Sequence, residues 1–277
     1  MATTRSNRTT VIRPRRGLFS LGLGELFEYR ELLFYLAWRQ IKIRYKQTLM
    51  GAAWAVIQPA LLMVVFSVIF GVALKLPSEG IPYPVFSYSG LVLWMYFANS
   101  LTVASTSMVT NTGLITKVYF PRMLLPVSST VFGFLDYAIS LLLLVGMMFY
   151  YQTLPGIAIL LLPVLLLMTF VLASGLALWF SAICIRYRDV QYAMPFLIQM
   201  LLFLTPVIYP PDFTGRFQWL LQLNPMSAII TAHRASLLGH VPVDYSSLGI
   251  STLIILFVTV TGLVFFRSNE KSFADLI

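Results

Sequence analysis

An all-α membrane protein with six transmembrane helices is the fold class this sequence predicts, and three observations predict it. Of its 277 residues, 58% are hydrophobic and only 10% charged, where a water-soluble domain carries about a quarter charged residues. Apolar runs recur that approach or exceed the roughly 20 residues a helix needs to cross a bilayer. All but Lys75, Arg216 and Arg234 of the 19 Lys and Arg lie in segments that an even number of spans places on one side, and such segments stay cytoplasmic. Both termini are therefore expected in the cytoplasm. The runs are too long for barrel strands and lack their period-two alternation.

Residues 1–48 read as a cytoplasmic arm, and 49–277 as the transmembrane domain. Arg5, Arg8, Arg13, Arg15 and Arg16 precede the first long apolar run, so no cleaved secretory signal is expected. From Glu25 to Tyr45, Leu26, Tyr29, Leu32, Leu33, Leu36 and Trp38 recur at helical spacing, which predicts an amphipathic helix lying in the membrane interface. Glu25, Glu28 and Glu31 open it and Arg39, Lys42, Arg44 and Lys46 close it, in the sense the helix dipole favours. That basic cluster either anchors the chain by the positive-inside rule or binds phosphate at headgroup level.

Spans are expected at about 49–74, 88–109, 124–150, 157–185, 192–209 and 248–266. The second has a polar cytoplasmic half, with Asn99, Ser100, Thr102, Ser105, Thr106 and Ser107, groups that glue helices together or line a hydrated path. The third holds Asp136, the one acid inside a span; it is a functional carboxylate or a hydrogen-bonded contact to a neighbouring helix. Between the last two spans, Asn224-Pro225 reads as an N-cap with proline at the first helical position, and Gly239 as a C-terminal stop. With the apolar piece 213–223 before it, this suggests two short helices that dip in and return, or an amphipathic surface hairpin.

Several chemistries are excluded by absence. No G-x-x-x-x-G-K-[ST] phosphate loop occurs, so the chain is not expected to hydrolyse ATP. His233 and His240 have no neighbouring cysteine and no H-E-x-x-H pattern, and Cys184 is the single cysteine, so no metal site, zinc pair or disulfide is expected. No G-x-S-x-G elbow is present. Tyr83, Tyr88, Tyr150, Tyr151 and Tyr209 near span ends form an aromatic belt.

Four segments carry a family likeness. RYKQTLMGAAWAVIQP, Arg44 to Pro59, resembles the R-Y-x-x-T-x-L-G-x-x-W-x-x-x-x-P signature of polysaccharide-exporting ABC permeases, departing where Met50 precedes Gly51. FLTPVIYPPD (Phe203 to Asp212), LNPM (Leu223 to Met226) and IRYRDV (Ile185 to Val190) are similar to segments of the same permeases. The chain looks like the membrane subunit of a Wzm-like ABC-2 exporter of the O-antigen, capsule or teichoic acid group.

That resemblance implies a multi-pass homodimer in the cell inner membrane with two copies of a separate ABC ATPase, ATP and Mg bound on the ATPase and no cofactor or nucleic acid on this chain. The substrate it implies is an undecaprenyl-linked polysaccharide, whose pyrophosphate Arg39, Lys42, Arg44 and Lys46 would bind. The segment matching the family's coupling helix is Asn111 to Phe120, whose Leu114, Ile115, Val118, Tyr119 and Phe120 need a partner to cover them. Tyr88, Trp94, Tyr96, Phe97, Phe196 and Phe203 are candidates for a polysaccharide path, since rings pack against the C–H faces of sugars. Phe217, Trp219, Pro225, Met226 and Ile230 belong to the implied outward gate. Two alternatives stay open: a drug or small-lipid exporter of the same superfamily, and a membrane-embedded polyprenyl-phosphate transferase.

Overall fold

The computed structural model describes residues 23–46, 51–153, 155–211, 218–239, 241–270 and 272–273, and every regular element among them is helical. A short helix α1 (Leu23–Glu28) leads into α2 (Arg30–Tyr45). The expected single interfacial helix breaks at Tyr29, whose backbone (φ −98°, ψ 25°) leaves the helical region. A 3₁₀ turn, Gly51–Ala53, opens α3 (Trp54–Phe66), which runs on as a π-helical stretch, Ser67–Ala73. Then come α4 (Tyr83–Thr110), the short α5 (Thr112–Lys117) and α6 (Leu124–Tyr150). Helix α4 starts before Tyr88 because Pro82 and Pro84 suit a first helical turn. The 3₁₀ turn Ile157–Leu161 enters α7 (Leu162–Arg186), followed by α8 (Val190–Leu204), α9 (Gln218–Leu223), α10 (Pro225–Leu238) and α11 (Tyr245–Asn269).

Among the described residues, four helical stretches are long and apolar enough to cross a membrane: Gly51–Ala73, Leu124–Tyr150, Ala158–Arg186 and Tyr245–Asn269. Helix α4, at 28 residues, is about 42 Å long and exceeds the hydrocarbon core, but its hydroxyl-rich half makes it less apolar than those four. Helix α8 has only 15 residues, about 22 Å. It stops at Leu204 rather than near Tyr209 because Pro206 drives Thr205 into extended backbone (φ −113°, ψ 136°).

The centre of the bundle is α4, which packs against α3, α6, α7, α8 and α10 and buries most of its length. The Tyr88 and Tyr96 hydroxyls donate across to the Ser140 and Thr130 carbonyls of α6, whereas Thr102, Ser105, Thr106 and Ser107 donate to carbonyls three or four residues back in α4. Small side chains satisfied in this way let neighbouring backbones approach. The α7–α11 contact takes that to its limit, since a Cβ placed on Gly262 would lie 2.5 Å from the Gly175 carbonyl oxygen.

Two apolar cores result. The larger surrounds α4 and includes Phe86, Leu91, Tyr96, Leu172, Ile229 and Ile255. The smaller lies at the other end, where Leu36 of α2, Ile115 of α5, Phe120, Leu124 and Leu125 of α6, Phe266 and Phe273 meet.

Candidate functional site

Helix α2 is anchored at two levels. Leu36 and Ala37 are its buried residues, and Leu36 joins the core at the start of α6. A little over two turns later, Arg44 Nη1 lies 3.1 Å from Asp136 Oδ2 of α6, with its guanidinium over the Phe132 ring. Tyr45 donates its hydroxyl hydrogen to Asp136 Oδ1. Burial first, then the Asp136 hydrogen bond and charge, hold the Tyr45 phenol above its ordinary pKa. Asp136 is thus a contact to a neighbouring element, and the partners are the first two residues of the Arg44–Pro59 signature. Further along that signature, the Ala55 carbonyl accepts from Ser140 Oγ at 2.7 Å, and Ala55, Gln58 and Pro59 bound a small cavity with Asn99, Asp136 and Tyr137.

This geometry divides the basic cluster. Arg39, Lys42 and Lys46 are spaced i, i+3, i+7 and share one face, while Arg44, two residues after Lys42, is rotated by about 200° from it. Three cations turn away from the bundle and the fourth turns in. Lys42 and Lys46 are exposed and Arg39 half-buried.

The segment expected to couple to a partner is also split. Val118 and Tyr119 are exposed, whereas Ile115 and Phe120 are packed inside the chain's own smaller core and Leu114 is half-buried. The aromatic set divides likewise. Tyr88, Trp94, Tyr96 and Phe97 are enclosed in the α4 core, whereas Phe196 and Phe203 on α8 are exposed.

At the opposite end, α10 has the ends the sequence implies: Asn224 Oδ1 accepts from the Met226 N–H at 3.0 Å, and Gly239 adopts φ +66°. Met226 and Ile230 are buried in the chain's own core, covered by α4, α7 and α11. Pro225 is half-buried and Trp219 of α9 exposed; Phe217 lies outside the described residues.

Arg234, one of the three cations that the K/R count leaves off the cytoplasmic side, is only 2% exposed. Its Nη2 donates to the Pro206 and Val207 carbonyls at 3.2 and 2.8 Å, and its guanidinium lies 3.7 Å above the Phe86 ring. Beside it His233 Nε2 meets the Tyr137 hydroxyl at 2.9 Å. These contacts tie α10 to α4, α6 and the turn after α8. A cavity of about 260 Å³ lies against this clamp, lined by Glu79, Gln222, Thr231 and Asp244 among others. Sequence reasoning missed the clamp; the signal present was a cation within an apolar helix between Asn224 and Gly239.

Comparison with known proteins follows the same outline. A family model described as ABC-2 type transporter matches residues 31–238, from α2 through the end of α10. The chain is 30% identical over 258 residues to the O-antigen export system permease protein RfbA of Myxococcus xanthus, covering 91% of this chain and 98% of that protein. It is 26% identical over 257 residues to a Klebsiella pneumoniae protein of the same name, covering 92% and 97%. Against the polysialic acid transport protein KpsM of Escherichia coli it is 24% identical over 241 residues, covering 84% and 92%.

Proposed function

We propose that this chain, which belongs to the ABC-2 type transporter family, is the integral-membrane permease subunit of an ABC exporter of polysaccharide, working with a separate ATPase and having no enzymatic activity of its own. The observation that carries this reading is likeness over nearly the whole chain to permeases named for O-antigen export and polysialic acid transport. What those names share is a sugar polymer.

In this reading the substrate is an undecaprenyl-linked polysaccharide, ATP and Mg are bound by the ATPase, and the chain works as a homodimer in the inner membrane. Six spans place both termini in the cytoplasm: the four apolar stretches, α4, which buries most of its length in the bundle, and the short α8. The arm to residue 48 precedes the transmembrane domain, and α9 and α10 return to the same outer side. Arg39, Lys42 and Lys46 face the lipid pyrophosphate, since phosphate attracts clustered cations at headgroup level. Val118 and Tyr119 offer the ATPase an exposed apolar contact, and Phe196 and Phe203 offer rings to the polymer. The outward lip is assigned to α9, where Trp219 and Leu223 are exposed, because α10 is clamped from three sides.

Deleting the gene in its host should remove the glycan from the cell surface and accumulate lipid-linked polymer inside, with restoration by the intact chain. Normal surface glycan together with new drug sensitivity would instead favour the small-molecule exporter.

A further inference from the structure

Apolar packing seats the first half of α2, where Leu36 and Ala37 are buried and Leu32 and Leu33 pack partly buried against the same core. The basic face extends beyond that seat to the end of the helix. The second anchor sits at the helix end, where Arg44 and Tyr45 both reach one carboxylate. Two side chains about 100° apart on the helix, converging on a single acid, permit one roll angle. In that orientation Arg39, Lys42 and Lys46 point away from α6.

We propose that Asp136 is a positioning residue for a phosphate-bearing lipid headgroup: by holding Arg44 and Tyr45 against α6 it turns the Arg39, Lys42 and Lys46 face of α2 toward the anion. The inference rests on the headgroup reading given under the proposed function and adds to it a residue on another element. Arg44 is then a tether and not a ligand. Its side chain is 29% exposed against 7% for Asp136, so the carboxylate is the enclosed member of the pair.

The sign of one substitution separates this role from simple electrostatics. Asp136→Asn removes a negative charge from beside the basic cluster, which on charge alone would tighten binding of an anion. Positioning demands the reverse. Binding of a polyprenyl pyrophosphate to the complete transporter in nanodiscs should weaken at least tenfold in D136N and recover in the exchanged pair R44D/D136R. Spin labels at Tyr35 and Leu142, both exposed, should report a broadened α2–α6 distance distribution in D136N that narrows again in the exchanged pair.

Unchanged or tighter binding in D136N, with the label distances as in the unsubstituted protein, would overturn the proposal. If D136N fails to fold, the exchanged pair decides: a folded R44D/D136R protein that binds no better than R44D alone overturns it as well. Failure of the headgroup reading itself looks different. R39Q/K42Q/K46Q would then bind as tightly as the unsubstituted chain, whatever the labels show.

Discussion

Placing an aspartate at 115 and at 119 should give opposite results, although both residues belong to one short apolar segment. Ile115 is 9% exposed and packed with Leu36, Phe120 and Phe266, whereas Tyr119 is 80% exposed. Ile115→Asp forfeits about 1.5–3 kcal/mol of side-chain burial and places a carboxylate in an apolar core at a further cost of several kcal/mol. The sum, about 4 kcal/mol or more, is a large part of the roughly 5–15 kcal/mol that holds a domain together. Tyr119→Asp removes little packing and should change stability by no more than about 0.5 kcal/mol. Thermal melting of the detergent-purified chain, followed by size-exclusion fluorescence, should show I115D aggregating well below the unsubstituted protein and Y119D melting with it. Co-purification with the ATPase then isolates coupling: Y119D should keep its fold and lose the partner. An I115D protein that melts normally would refute the inward placement of Ile115, and a Y119D protein that retains its ATPase would move the docking contact elsewhere.

Gly262→Ala should destabilise the α7–α11 contact by about 1–3 kcal/mol, because the new methyl would fall 2.5 Å from the Gly175 carbonyl and 2.9 Å from Trp179 Cδ1; an unchanged melting temperature would show that these helices stand further apart. Asn224→Ala should cost about 1–2 kcal/mol by removing the cap of α10 and the 2.8 Å bond to Thr205 Oγ1, while Asn224→Asp should retain the cap and lose less. Asp244 caps α11, and hydrogen bonds from the Ser247 side chain, then from the Ser247 and Ser246 backbones, hold its carboxyl below the usual aspartate range. Because the folded value is the lower one, its contribution is fully present above the unfolded aspartate pKa of about 3.9 and is lost as pH falls through the folded value. The gap in melting temperature between the unsubstituted chain and Asp244→Ala should therefore be open at pH 7 and close below about pH 4; a gap that persists in acid would dismiss the cap.

Local signals carried far. Apolar runs and K/R spacing located the stretches that became Leu124–Tyr150, Ala158–Arg186 and Tyr245–Asn269, because span length and composition are properties of contiguous residues. Asn224, Pro225 and Gly239 marked the ends of α10 for the same reason: a cap and a left-handed stop each depend on a few adjacent groups. Asp136 stood out because an acid inside an apolar run is costly wherever it lies. Direction was another matter. Nearness in sequence grouped Arg44 with Lys42 and Lys46 in one basic cluster, although helical periodicity already sets it on another face, and only the approach of α6 supplied the carboxylate it meets. The same holds for Met226 and Ile230, whose apolar character demanded cover without naming its source, and for Arg234, whose partners are carbonyls freed where Pro206 ends α8. Sequence by itself determined which residues must leave water and, where a cap or stop is local, where a helix begins or ends, as at Asn224 and Gly239 of α10. Tertiary structure decided which neighbour each of them meets, since that depends on how helices distant along the chain cross, and no local pattern encodes the crossing.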